Sequence, residues 1–206
     1  MRIVCLSDTH NRHERVRVPD GDLLIHAGDF TVMGRPEEIV PFDRWLATLP
    51  HHRKIVIAGN HEFLFERHPD EARRLITHAI YLQDSGTVVD GLHVWGSPWQ
   101  PEFGDLAFNL PRGDSIAQKW RLNPDGTDIL VTHGPPYGQN DALKSGRRVG
   151  CQDLMEAIRR IRPRLHVGGH IHQAHGESRV DGTHFINASI CNESYEPVNA
   201  PIVVDV

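Results

Sequence analysis

Five short apolar runs punctuate the chain, and each ends in a small cluster of polar residues. The runs are rich in β-branched side chains and occupy residues 3–6, 23–27, 55–58, 129–131 and 165–167. Near-continuous apolar runs of this length are typical of strands that are buried on both faces. A glycine follows or adjoins the end of every run except the first, which indicates a sharp backbone turn there.

Helical spacing of apolar residues appears between some of these runs. It predicts helices over residues 36–49, 69–79 and 152–161, and a shorter helix over 115–121. Pro41 leaves the start of the first helix open, because proline disfavours a helix interior.

Further strands are expected where apolar residues alternate or cluster outside these helices. They are centred on Val88 and Val94, in a hairpin over 177–188 that turns at Asp181-Gly182, and over 202–206. Segments 96–114 and 134–149 are rich in Gly and Pro and are expected to be loops. The mixture predicts one α/β domain over residues 1–206, with mixed sheets covered by helices.

Composition and charge narrow the class of protein. The 206 residues are 39% hydrophobic, or about 46% when the 18 Gly are counted and the three Tyr are not, which is ordinary for a globular protein. The net charge of −5 disfavours a nucleic-acid backbone binder. No apolar run is long enough for a membrane span or a signal-peptide core. The chain is therefore expected to be cytoplasmic and free of membrane contact, and its three cysteines, which form no CxxC pair, fit this expectation.

The polar clusters contain the side chains that carry chemistry. In open α/β sheets, ligands bind beyond the carboxyl ends of the strands, where these clusters are expected to lie. They contain carboxylate, carboxamide and imidazole groups: Asp8, His10, Asp29, Asn60, His61, His133, His170 and His172. This set, which lacks a thiolate, suits Mn, Fe, Zn, Ni or Co.

The spacing of these residues favours a shared metal site. Asp8 and His10 are two residues apart, so an extended chain would point both the same way, and His170 and His172 repeat the spacing. Taken singly, each motif is also typical of turns and caps. Together they offer more donors than one four-coordinate ion needs, which suits two metals roughly 3.5–4 Å apart.

The motifs SDTH, GD, GNHE, THG and GGHIH, in this order over residues 7–172, resemble the calcineurin-like metallophosphoesterase superfamily. The strings HVWGSPWQP and THGPP are similar to its small single-domain branch, the metallophosphoesterase domain-containing proteins. The resemblance implies a four-layer αββα sandwich, in which two mixed β-sheets are flanked by helices.

The resemblance also implies a role for each motif residue. Asp8, His10 and His172 would bind the first metal, and Asn60, His133 and His170 the second. Asp29 would bridge both ions and support catalysis. His61 would be the general acid or a stabiliser of the transition state, with Asp8 expected to orient it. Substrate contacts are expected from Asn60, His61 and His175.

Two differences from the motifs of related phosphatases disfavour those classes for this chain. Phosphoprotein phosphatases extend GD to GDxxDRG, whereas residues 28–34 here lack that Asp-Arg pair. Purple acid phosphatases place a tyrosine ligand three residues after the bridging Asp, where this chain has Val32.

The expected function is hydrolysis of a small phosphodiester, such as a cyclic nucleotide, or of a phosphomonoester. Two divalent ions, with Mn or Fe favoured over Zn, Ni or Co, would supply a bridging hydroxide for in-line attack. A phosphodiesterase is favoured over a phosphatase. Two alternatives stay open: a metal-binding scaffold or regulatory module with incidental hydrolase activity, and a nuclease. The sequence indicates no oligomeric state.

Overall fold

A computed structural model describes residues 1–206, which form thirteen strands and five α-helices. The strands are β1 (Arg2–Leu6), β2 (Leu23–His26), β3 (Arg53–Val56), β4 (Ile80–Tyr81), β5 (Ser85–Val89), β6 (Leu92–Ser97), β7 (Gln100–Pro101), β8 (Asn109–Leu110), β9 (Ile129–Thr132), β10 (Leu165–Gly168), β11 (Gly176–Val180), β12 (Thr183–Asn187) and β13 (Ile202–Asp205). The helices are α1 (Pro36–Thr48), α2 (Phe63–Arg67), α3 (Pro69–Arg74), α4 (Asp114–Arg121) and α5 (Gln152–Ile161).

The strands form two large mixed sheets. The first has the order β13-β1-β2-β3-β4, with all pairs parallel except β13 against β1. The second has the order β11-β12-β10-β9-β6-β5, and its two edge strands are antiparallel to their neighbours. The predicted mixed sheets are therefore confirmed.

Side-chain alternation explains how four layers stack. Ile3 of β1 and Ile129 of β9 belong to one apolar core between the two sheets. Val4, the neighbour of Ile3, faces the opposite way and packs in a second core with α1 and α3. Leu130 likewise faces α4 and α5 in a third core. The strands are buried on both faces, which explains their near-continuous apolar sequences.

The helices agree with prediction in three cases and differ in two. The helix α1 begins at Pro36 and contains Pro41 in its interior, while α4 and α5 lie where the spacing places them. The short α2 was not predicted. The predicted loop over 96–114 contains the small β7–β8 ladder.

The helix predicted over 69–79 is wrong in its second half, since α3 ends at Arg74. The reason is a tertiary contact with Asp43 of α1. Its carboxylate accepts hydrogen bonds from the backbone amides of Thr77 at 2.8 Å and His78 at 2.9 Å. Because these amides would otherwise continue the helical ladder, the chain leaves the helix before them.

The carboxyl ends of the central strands of both sheets meet at one edge of the sandwich. The segment after β1 pairs with the segment after β12 through a parallel bridge between Ser7 and Ser189. No helix of this structure is both long and apolar enough to cross a bilayer.

Candidate metal centre

The predicted ligands lie together where the two sheets meet. Asp8, His10, Asp29, Asn60 and His133 are all at most 2% exposed. His170 and His172 complete the cluster, with ligand atoms within 4.8 Å of Asp29 and Asp8, respectively. The convergence of distant strand ends, expected from the sequence, is therefore present in the structure.

The backbone at these residues differs from the extended chain that was expected. Asp8 has a φ of 54°, His10 of 39°, Asp29 of 54° and His170 of 66°, and His172 begins a 3₁₀ turn. The pairs Asp8–His10 and His170–His172 thus converge by sharp turns rather than by strand alternation. Left-handed backbone is unfavourable for non-glycine residues and persists only where the surrounding structure imposes it.

One half of the cluster is built around Asp8. Its Oδ1 lies 3.3 Å from Nε2 of His172 and 4.0 Å from Nε2 of His10. The Oγ of Ser189 donates to Asp8 Oδ2 at 2.8 Å, and the amide of His170 donates to the same oxygen at 2.9 Å. The same amide also donates to Oδ1 at 3.1 Å, so these donors fix the whole carboxylate, and Oδ1 still faces the imidazole of His172.

The other half is built around His133. Its Nε2 lies 2.9 Å from Oδ1 of Asn60 and 3.2 Å from Oδ2 of Asp29. The ring of His170 packs against His133 with 5.1 Å between centroids. Since Asp29 Oδ2 is also 3.8 Å from Nε2 of His10, this carboxylate lies between the two halves.

The hydrogen bonds of the imidazoles show that their Nε2 atoms are suited to bind cations. The Nδ1 atoms of His10, His133 and His172 lie 3.2, 2.9 and 2.9 Å from backbone carbonyl oxygens, which can only accept. Each Nδ1 therefore carries a proton, so that each ring in its neutral form offers the lone pair of Nε2 to the centre. His10 Nε2 and His172 Nε2 then face each other at 3.2 Å, two acceptors with no donor between them. A metal ion satisfies both.

The electrostatics of the centre also favour positive charge. Burial alone would lower the pKa of His133, but the adjacent carboxylate of Asp29 raises it to about 9. Without a metal ion, Nε2 of His133 therefore also carries a proton, and a cation that binds there would displace it. Burial would raise the pKa of Asp29, yet the surrounding imidazoles hold it well below its usual range. The pKa of Asp8 is also held well below its usual range, by His172 and the neighbouring imidazoles. Both carboxylates are therefore ionised and attract a cation to the space that the imidazoles share.

His61 stands at the mouth of the cluster rather than inside it. Its Nδ1 donates to the carbonyl of Val32 at 2.6 Å, and its Nε2 lies 3.9 Å from Oδ2 of Asp29. The expectation that Asp8 orients this ring is wrong, because the carbonyl of Val32 does so. The free Nε2 faces the cavity in front of the centre.

A cavity of about 700 Å³ opens in front of the cluster. Asp29, Asn60 and His61 line it where it meets the cluster. The rest of the lining is mostly polar, with three arginines and three aromatic side chains: Arg112, Arg147, Arg148, Phe103, Tyr137 and Tyr195. This volume suits a small ligand. His175, predicted as a substrate contact, is half-buried in the turn after β10 and does not line the cavity.

Sequence reasoning missed several residues that build this site. Glu62 is fully buried behind the Asp29 loop, and Ser189 and Asn192 hold Asp8 and His172. Glu62 belongs to the GNHE motif, which was a usable signal. Ser189 and Asn192 lie beyond the last motif, where only the folded chain shows their contacts.

Comparison with known proteins defines the class of protein that this fold and centre represent. Residues 1–174 match the Calcineurin-like phosphoesterase family, and the chain belongs to that family. It is therefore a metal-associated hydrolase of phosphoesters, as the resemblance of its five motifs implied.

Curated relatives narrow the resemblance to one branch. The chain is 46% identical to Metallophosphoesterase domain-containing protein 1 of Homo sapiens, over 99% of this chain and 70% of that protein. It is also 39% identical to UPF0046 protein K07C11.7 of Caenorhabditis elegans, over 98% of this chain and 74% of the relative.

Solved structures share the fold at low sequence identity. One crystal structure aligns with a TM-score of 0.70 and 15% identity, over 90% of this chain and 89% of its own. The crystal structure of TT1561 from Thermus thermophilus aligns with a TM-score of 0.61 and 14% identity, over 90% and 88% of the two chains.

Proposed function

We propose that this chain is a two-metal phosphodiesterase that hydrolyses small phosphodiesters such as cyclic nucleotides. The observation that carries the proposal is the position of Asp29, whose Oδ2 lies 3.8 Å from Nε2 of His10 in one half of the cluster and 3.2 Å from Nε2 of His133 in the other. Residues 1–206 act as one domain in this proposal, supported by a core to which both sheets contribute.

The ligand assignment follows the two halves of the cluster. The first ion would be held by Asp8, His10 and His172, and the second by Asn60, His133 and His170. Asp29 would serve both ions. The donors are oxygen and nitrogen with no thiolate, which suits Mn or Fe, and also Zn, Ni or Co.

Divalent ions bound there supply Lewis acidity, which activates water as a nucleophile and offsets charge on the phosphate. The side chains provide the rest of the chemistry. In its imidazolium form, His61 donates the Nε2 proton to the leaving oxygen and becomes neutral, because the Val32 carbonyl holds the Nδ1 proton and directs Nε2 to the cavity. Asn60 and His61 both line the cavity and contact the substrate phosphate.

The size of the cavity supports a diester substrate. Its volume of about 700 Å³ leaves room beside the centre for a second ester group. The net charge of −5 disfavours a long nucleic acid, whose binding depends on cationic contacts with phosphates. The three buried, free cysteines support a reducing compartment such as the cytoplasm.

Hydrolysis of a bis-aryl and a mono-aryl phosphate tests the proposal. The protein is freed of metal, then assayed with Mn²⁺ and again with a chelator. We expect Mn²⁺-dependent release that is faster from the diester. Faster release from the monoester would indicate a phosphatase. Absence of metal-dependent release from either substrate would favour a metal-binding scaffold.

Two substitutions separate metal binding from proton donation. Asp29→Asn is expected to lower both bound metal and turnover, since Asp29 carries charge for both ions. His61→Ala is expected to retain metal but to lower kcat, by about 10²–10⁴-fold for a lost general acid. Metal analysis and steady-state kinetics measure both effects, with exposed Asp70→Asn as the control. Full metal retention in the first variant, or an unchanged kcat in the second, contradicts the assigned role.

A further inference from the structure

A tyrosine beyond the last motif reaches the metal centre. The ring of Tyr195 meets that of His10 edge-on, with 4.6 Å between centroids. It also lies 5.7 Å from the ring of His172 and 6.2 Å from that of His61. Tyr195 is 41% exposed and lines the cavity, so one edge packs on the centre while the rest faces the space for substrate.

Asn192 holds the turn that presents this ring. Its side-chain Oδ1 accepts from the amides of Ser194 at 2.9 Å and Glu196 at 3.1 Å. Its backbone carbonyl accepts from the amide of Tyr195 and from Nδ1 of His172, both at 2.9 Å. The same residue therefore orients a candidate ligand and closes the turn under Tyr195.

The backbone of Tyr195 supports a functional role for this turn. Its φ of 58° lies in the left-handed region, which is costly for a bulky side chain. Such conformations persist where surrounding contacts impose them, and they cluster at ligand sites. If the turn served only to connect β12 to β13, a glycine would adopt this φ at lower cost. The presence of an aromatic side chain therefore points to a role for the ring itself.

We propose that Tyr195 is a substrate-contacting residue whose ring forms the wall for the leaving group. This inference rests on the proposed function. The ring of Tyr195 is assigned to the leaving-group side because it lies near His61, the proton donor to the leaving oxygen. A flat aromatic leaving group packs against the exposed part of the ring, in an offset or edge-to-face arrangement. The site thereby favours diesters whose leaving alcohol carries a ring over those with short alkyl leaving groups.

The test compares two diesters that differ in the leaving group. Hydrolysis of methyl 4-nitrophenyl phosphate releases an aromatic leaving group. Hydrolysis of bis(2,2,2-trifluoroethyl) phosphate releases an alcohol without a ring and is followed by fluorine NMR. In the Mn²⁺-loaded protein, we expect Tyr195→Ala to lower kcat/KM for the aryl diester by about 3- to 10-fold, mostly through KM. The kcat/KM for the trifluoroethyl diester should fall much less. Tyr195→Phe should restore most of the aryl preference, because it keeps the ring.

Exposed Val198→Ala, in the same loop but outside the cavity, is the matched control for disturbance of the turn. Equal losses for both diesters in Tyr195→Ala would show that the ring serves the metal centre, and would overturn the proposal. So would an unchanged aryl kcat/KM, or a failure of Tyr195→Phe to restore it. A wild-type protein inactive on both diesters would instead overturn the proposed function itself.

Discussion

Glu62 is a buried carboxylate surrounded by donors. Its Oε2 accepts from the amides of Asp29 at 2.8 Å and Gly59 at 2.6 Å, and its Oε1 from the amide and hydroxyl of Thr31 at 3.0 and 2.8 Å. Burial, followed by the charge of Asp29, raises the pKa of Glu62 to about 7. Glu62 is a positioning residue, because it ties the loop of Asp29 to the loop of Asn60.

Substituting Glu62 with Gln should test this positioning role. The amide group would turn an N–H toward a backbone N–H, which leaves a buried donor unpaired at a cost of about 1–3 kcal/mol. We expect a lower free energy of unfolding and weaker Mn²⁺ binding in Glu62→Gln, measured by chemical denaturation and metal titration. Exposed Glu71→Gln is the control. Unchanged stability and unchanged metal affinity would refute the role.

At the scale of elements, α1 determines where α3 stops. Burial alone would raise the pKa of Asp43, but hydrogen bonds from Thr77 and His78 lower it below the ordinary 3.8. A carboxylate with a lowered pKa stabilises the fold above its unfolded pKa, and this stability is lost as pH falls through the folded pKa. The contact between α1 and the end of α3 therefore weakens in acid.

Replacing Asp43 with Asn should remove this acid sensitivity. We expect Asp43→Asn to have a lower Tm than the wild type near neutral pH, and the difference to shrink as pH falls below about 4. Thermal unfolding followed by circular dichroism over that range measures the effect, with Asp70→Asn in the first turn of α3 as the control. A difference in Tm that is constant with pH would exclude the carboxylate as its source.

At the scale of the whole molecule, the metal centre joins the two sheets. Asp8 and Asp29 follow strands of the first sheet, whereas His133 and His170 follow strands of the second. An ion bound across this junction binds only the folded chain, so its binding free energy adds to stability. The ion also offsets the like charges of the two carboxylates and satisfies the facing lone pairs of the imidazoles.

Metal should therefore raise the melting temperature. Mn²⁺ at a hundred times its Kd adds about 2.7 kcal/mol by mass action. At about 2–4 °C per kcal/mol for a chain of this size, that is a rise of roughly 5–11 °C. Differential scanning calorimetry with chelator and then with Mn²⁺ measures it, and Asp29→Asn should show a smaller rise. An identical Tm with and without Mn²⁺ would argue against a cation in this cluster.

The sequence by itself determined most of the strands, most of the helices and the identity of the candidate ligands. Apolar periodicity and motif spacing are local properties, so residues such as Asp8, Asn60 and His133 could be assigned to strand ends before any fold was known. Only the tertiary structure decided the left-handed turn at Asp8, the early end of α3 and the approach of Tyr195 to His10. These features depend on contacts between segments far apart in the chain, which no local pattern records.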